Sequence, residues 1–260
     1  MLIDTHCHLD FADFDAERDE LLERARHAGV TQMVTISTRV RKLDRLLKLT
    51  ERYDNVFCSV GTHPNNADEE LDVTADQLVE LAEAHAKIVA IGEAGLDYFY
   101  DTQKPEDQQT GLRRHIEAAR RTQLPLVIHS RAADEDMATI LTEETGKGAF
   151  PFILHCFSSG QGLADTGVAL GGYVSFSGIL TFPKSTELRD IAKTVPMDRL
   201  LVETDAPYLA PKRWRGKRNE PSYVVNTAEV LAEVKGVSYE EMAAITTENA
   251  FRCYAKMPRL

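Results

Sequence analysis

Short apolar, β-branched runs recur along this chain roughly every thirty residues, and polar stretches with helical spacing lie between them. The runs fall at residues 2–4, 32–37, 56–60, 88–91, 124–128, 150–154, 173–176 and 200–202, which predicts eight strands. Several are apolar at every position, as expected of parallel strands buried on both faces. The intervening segment "DAERDELLERARHAG" places Leu21, Leu22, Ala25 and Ala28 on one helical face and ends at Gly29, a natural residue just past a helix. Thr74 with Gln77, and Ser238 with Glu241, carry the spacing of a capping box, in which the two side chains satisfy orphaned backbone donors. Eight strand–helix units in 260 residues predict a single α/β domain, residues 1–260, folded as a (β/α)8 TIM barrel with an extra C-terminal helix. An open doubly wound sheet would place a glycine-rich phosphate loop after its first strand; here that position reads "THCHLD".

Composition narrows the partners. A formal charge of −11 argues against a broad basic surface for long nucleic acid, leaving a local basic patch or bound cations as the means of holding phosphate. Cys7, Cys58, Cys156 and Cys253 are widely spaced with no CxxC, as expected of reduced thiols with no structural disulfide. The chain start has no basic leader, and no segment approaches the roughly 20 apolar residues of a membrane span. The expectation is a cytoplasmic protein without a membrane partner. The oligomeric state stays open, with a monomer as the working expectation.

Chemistry gathers where the strands end. If the first strand stays extended, His6 and His8 project to one side and Cys7 to the other. His63 follows the third strand, Glu93 the fourth, His129 the fifth, His155 the sixth, and Glu203 with Asp205 the eighth. Active sites of such barrels form at that end, whereas His27, His85 and His115 fall within helical patterns. Four imidazoles and two carboxylates suffice for two divalent cations that share one ligand. The expected sets are His6, His8 and Glu93 for one ion and Glu93, His129 and His155 for the other, with Asp205 on the first ion or beside the water between them. Gly92 and Gly95 would let the backbone approach closely around Glu93, while Cys7 and Cys156 turn toward the helices. His63 and Arg131, the latter two residues past His129, are expected to contact substrate. So is Arg218, at the end of the basic run "KRWRGKR" around Trp214, which either binds phosphate and stacks a base or packs as a solvated loop.

These motifs resemble the TatD-like metal-dependent deoxyribonucleases of the amidohydrolase superfamily: "IDTHCHLD", "GTHP", "IGEAGLD", "VIHSR", "LHCFSS", "LLVETDAPYLAP" and "RGKRNEP" occur in that order along the chain. The resemblance implies a TIM barrel with two divalent ions and carries metal roles onto His6, His8, Glu93, His129, His155 and Asp205. Two departures stand out. Asn65 occupies a place where many relatives have a second histidine, and Glu93 stands where other members of the superfamily bridge their metals with a modified lysine.

The expected reaction is metal-dependent phosphodiester hydrolysis at DNA ends, 3′–5′ exonuclease-like, with DNA or a small phosphodiester as substrate. Asp205 would take the proton of the attacking water, Glu93 would bridge two ions (Mg, Mn, Zn or Ni), and Glu203 would hold a histidine or a loop in place. The alternative is hydrolysis of a carboxylic ester or amide, such as an aminoacyl ester on RNA. A non-catalytic binding barrel is a third reading, against which the complete ligand set argues.

Overall fold

All eight apolar runs become strands in the computed structural model, which describes residues 1–100 and 103–260. In chain order they are β1 (Leu2–Cys7), β2 (Val30–Thr35), β3 (Val56–Val60), β4 (Ile88–Asp97), β5 (Leu126–Arg131), β6 (Phe152–Leu154), β7 (Tyr173–Phe176) and β8 (Leu200–Val202). Each pairs in parallel with the next, and a bridge between Cys7 and Ala206 brings β1 to the end of β8. The result is a (β/α)8 TIM barrel. Helices α1 (Arg18–His27), α2 (Leu43–Arg52), α3 (Ala75–Ala84), α4 (Pro105–Thr122), α5 (Asp134–Lys147), α6 (Gln161–Ala169), α7 (Thr186–Thr194) and α8 (Val224–Lys235) follow the strands in turn, and α9 (Tyr239–Cys253) is the extra C-terminal helix.

Local chemistry sets the helix ends. Thr74 and Gln77 form the reciprocal capping box at the start of α3, and Ser238 accepts from the Glu241 N–H at the start of α9. Helix α1 buries Leu21, Leu22 and Ala25, and Gly29 follows it at φ +84°, a conformation without steric cost only for glycine.

The strands carry two apolar layers. Outward residues such as Leu2, Met33, Cys58 and Ile91 pack under the helices. Inward residues Ile3, Val34, Phe57, Val127, Ile153 and Leu201 fill the lower lumen, where Ala250, Cys253 and Tyr254 of α9 and Met257 beyond it close the barrel from beneath. The Tyr254 hydroxyl donates to the Thr5 carbonyl at 3.0 Å, so the polar tip of this plug is satisfied.

Three strand ends differ from the sequence expectation in a way that shapes the site, the first being β1, which runs on to Cys7 and takes in His6. β4 and β5 continue to Asp97 and Arg131, because their ladder runs on through Gly95–His129 and Asp97–Arg131 pairings. Glu93 and His129 therefore lie inside strands rather than beyond them. Both β1 and β4 are also irregular. Between Asp4 and Cys7, three steps on β1 oppose two on β2, so Thr5 and His6 together face Val34. Between Gly92 and Ala94, Glu93 is the extra residue opposite one step of β5. Such bulges re-aim side chains, and here they bring His6 and Glu93 into the lumen. Gly92, at φ +108°, makes the second one possible; a Cβ there would lie 2.6 Å from the Val127 carbonyl oxygen.

Candidate metal centre

The seam that closes the barrel also builds the site. The Asp205 N–H donates to the His6 carbonyl at 2.9 Å and the His8 N–H to the Ala206 carbonyl at 2.8 Å, which sets the two histidines of β1 beside the acid after β8. Asp4 reinforces this join. Its buried carboxylate accepts from the Thr204 N–H at 2.9 Å and hydroxyl at 2.6 Å, and burial, against those bonds, pushes its pKa up to about 8.

Around Glu93 the ligand-type atoms form two groups. On one side, His6 Nε2 lies 3.3 Å from His8 Nε2 and 3.5 Å from both Glu93 Oε2 and Asp205 Oδ1, and His8 Nε2 is 3.5 Å from Asp205 Oδ1. On the other side, Glu93 Oε1 is 2.8 Å from His155 Nε2, 3.1 Å from His129 Nδ1 and 3.5 Å from His63 Nε2. All six residues named as ligands from the sequence thus converge at one mouth, with one carboxylate between the two groups. Gly95 permits the crowding, since a Cβ there would be 1.9 Å from the His129 carbonyl oxygen.

The donor set fits divalent cations. Two donors each about 2.1 Å from a tetrahedral ion stand about 3.4 Å apart, which matches the spacing of the first group. Tautomers point the same way. His8 Nδ1 bonds the Ile36 carbonyl at 3.2 Å and His155 Nδ1 bonds Glu203 Oε1 at 3.1 Å, so each ring turns its Nε2 to the centre. His155 Nε2 has no aligned hydrogen bond although Glu93 lies 2.8 Å away; against burial, Glu93 and Glu203 raise the pKa of the ring, so without an ion a proton takes the place a cation would fill. Burial would raise the Glu93 pKa, but His155, His63 and His129 outweigh it and hold the carboxylate ionised. Burial, reinforced by His155, keeps His6 neutral.

His63 behaves differently from the other histidines. Its Nδ1 accepts from the Asn65 N–H at 3.0 Å, which leaves the proton of the neutral ring on Nε2. Burial drives its pKa down to about 3, so the ring faces the cavity as a hydrogen-bond donor. Asn65 is part of the same structure, with its side-chain amide 3.3 Å from Asp97 Oδ2. Asp97 is the acid that sequence reasoning passed over: it meets His129 Nε2 at 3.2 Å, and that bond, with others and against burial, lowers its pKa to about 2. Its signal was the position four residues after Glu93 in "GEAGLD". His115, read only as a helical residue, supports the loop from below by accepting the Thr62 N–H at 3.1 Å.

A cavity of about 680 Å³ opens over these groups, walled in part by Phe11, Arg131, Tyr208 and Leu209. Arg131 stacks on the Phe99 ring at 3.8 Å. Arg218 is not brought to the cavity: it pairs with Glu17 and lies over the Phe14 ring. Trp214 is also turned away, stacked on Tyr223 at 4.6 Å with its N–H bonded to Asn226 at 2.9 Å. The four cysteines are unpaired; Cys7 packs under the helices, but Cys156 lines the cavity, its thiol 3.1 Å from the Ser177 hydroxyl. No helix among the described residues is long and apolar enough to cross a membrane.

Residues 3–255 match the family model described as TatD related DNase. The uncharacterized metal-dependent hydrolase YabD of Bacillus subtilis is 41% identical over 256 residues, covering 98% of this chain and 99% of its own. The uncharacterized metal-dependent hydrolase YcfH of Escherichia coli is 41% identical over 258 residues, covering 97% and 95%. Among solved structures, the TatD homologue YjjV of Escherichia coli superposes with a TM-score of 0.91 at 32% identity, over 99% of this chain and 98% of that one.

Proposed function

Because this chain belongs to the TatD related DNase family and is a metal-dependent hydrolase, we propose that it hydrolyses phosphodiesters at DNA ends, in the manner of a 3′–5′ exonuclease. The observation that carries this reading is the division of Glu93, whose two oxygens face two separate sets of donors. Two divalent ions bound there, Mg, Mn, Zn or Ni, would lower the pKa of a water and neutralise charge developing on phosphate oxygens.

The side chains do the rest. Asp205, the most exposed acid of the first group, takes the proton that the attacking water gives up. Glu203 holds the His155 ring in the tautomer that offers Nε2 to the centre. The His63 N–H and the Arg131 guanidinium, fixed against Phe99, bind the non-reacting phosphate oxygens. The four unpaired thiols accord with a reducing compartment, and we propose that the chain works there, in the cytoplasm, as a monomer.

The test strips the protein of metal and adds back each ion separately. Shortening of end-labelled single-stranded DNA is expected, abolished by chelator and lowered on the order of 10³-fold in Asp205→Asn with metal content retained. Turnover of carboxylic esters without any phosphodiester cleavage would overturn the nuclease reading in favour of an esterase.

A further inference from the structure

The function proposed above uses the barrel mouth but not the basic run beyond β8. In a chain of net charge −11, many surface cations meet acids, as Arg24 does Glu220, Arg39 Glu69 and Arg113 Glu143, although Lys42, Lys48 and Lys184 are also exposed without an ion pair among the described residues. Lys212, Arg213, Arg215 and Lys217 are all exposed, and none pairs with a carboxylate among the described residues. Four unbalanced charges within six residues form a local field of the opposite sign to the whole.

The loop that displays them is held firmly. Buried Asn219 donates to the Thr204 carbonyl at 2.8 Å and the Tyr208 carbonyl at 2.6 Å, tying the far end of the loop to its start beside Asp205. Trp214, stacked on Tyr223, anchors the middle, with Lys217 5.1 Å and Arg213 5.6 Å from its ring centre. The Lys212 N–H is fixed on the Thr181 hydroxyl at 2.8 Å, on the short helical turn whose Ile179 walls the cavity. Tyr208 stands between cavity and strip with 54% of its surface exposed and Phe11 edge-on beside it at 6.1 Å. An exposed ring at the lip of a phosphate site, followed by a row of free cations, is the arrangement that single strands use: a base stacks and the backbone follows the charge.

We propose that Lys212, Arg213, Arg215 and Lys217 form the docking surface for the phosphate backbone of a single-stranded nucleic acid whose end occupies the cavity. This rests on the phosphodiesterase reading. A duplex is disfavoured, because the strip is one loop wide. An acidic protein would lack the base that Tyr208 is placed to stack.

Fluorescence anisotropy of a labelled oligothymidylate of about twenty nucleotides, titrated with metal-free protein in chelator, tests it. Replacing all four residues by Gln is expected to weaken binding at least about tenfold at low salt and to reduce the slope of log Kd against log salt by about 2 to 3. Wild type and variant should converge at high salt, which a misfolded variant would not do, and Lys217→Gln alone should reduce the slope by about 0.7. With metal restored, cleavage of the oligonucleotide should fall relative to that of a small diester. A variant with wild-type affinity and slope overturns the docking surface even where small diesters are hydrolysed. Strip-dependent binding without hydrolysis of any phosphodiester supports the surface and overturns the reaction assigned to the mouth.

Discussion

The lower and upper halves of one lumen are built by the same strands and differ in kind. Below, Ile3, Phe57, Val127, Ile153 and Leu201 meet Cys253 and Tyr254 in a dry, interlocked layer. Above, within the length of one strand, the same cylinder holds His6, His155 and Glu93, almost fully buried and polar. Burying ionisable groups is costly unless they are paired. The contrast shows the apolar floor supplying the stability that lets the mouth keep groups aimed at a ligand rather than at one another. His8 and His155 carry this principle into their tautomers, each spending one nitrogen on the scaffold and leaving the other free.

Three perturbations separate the halves. Tyr254→Ala empties the floor and should cost about 3 to 5 kcal/mol, read as a fall in the midpoint of denaturant unfolding, while the folded fraction keeps its metal affinity and turnover. Loss of metal in that variant at temperatures where it remains folded would join the two halves into one unit. Glu203→Gln works at the mouth alone: metal affinity, measured by titration with a competing chelator, should drop about 10- to 100-fold with little change in unfolding midpoint. The smallest effect is on pH. Burial lowers the His115 pKa to about 4 from an ordinary 6.5, so its stabilising contribution is full above 6.5 and is lost as pH falls toward 4. A loss of about 1 to 2 kcal/mol by pH 5 is expected, absent in His115→Gln, with amide exchange accelerating first at Thr62 and His63 rather than in the floor strands.

Much of this was legible because it is local. The runs at 56–60, 173–176 and 200–202 coincide with β3, β7 and β8, and the capping box of α3 forms as its spacing demands. Ligand histidines could be named because a barrel presents strand ends to a single mouth. What the sequence hides is phase. Simple alternation from Leu2 puts Ile3 and His6 on opposite faces, yet both enter the lumen, because a bulge on β1 spends an extra residue between them. Glu93 reaches the centre by the same device on β4. Periodicity carries no mark of either bulge except the glycine before Glu93. Arg218 and Trp214 were harder still: their partners, Glu17 and Tyr223, are set by how the loop after β8 folds back across α1 and α8, which no local pattern encodes.

The apolar floor and the helix beneath it close the lower lumen, so among the described residues the cavity over the ligand cluster opens at the upper mouth. A linear polymer therefore finds no passage through the barrel and reaches the ligand cluster from the mouth side. A covalently closed circle has no tip to offer. On the exonuclease reading proposed above, processing proceeds inward from termini, and each released unit leaves by the mouth through which the strand entered.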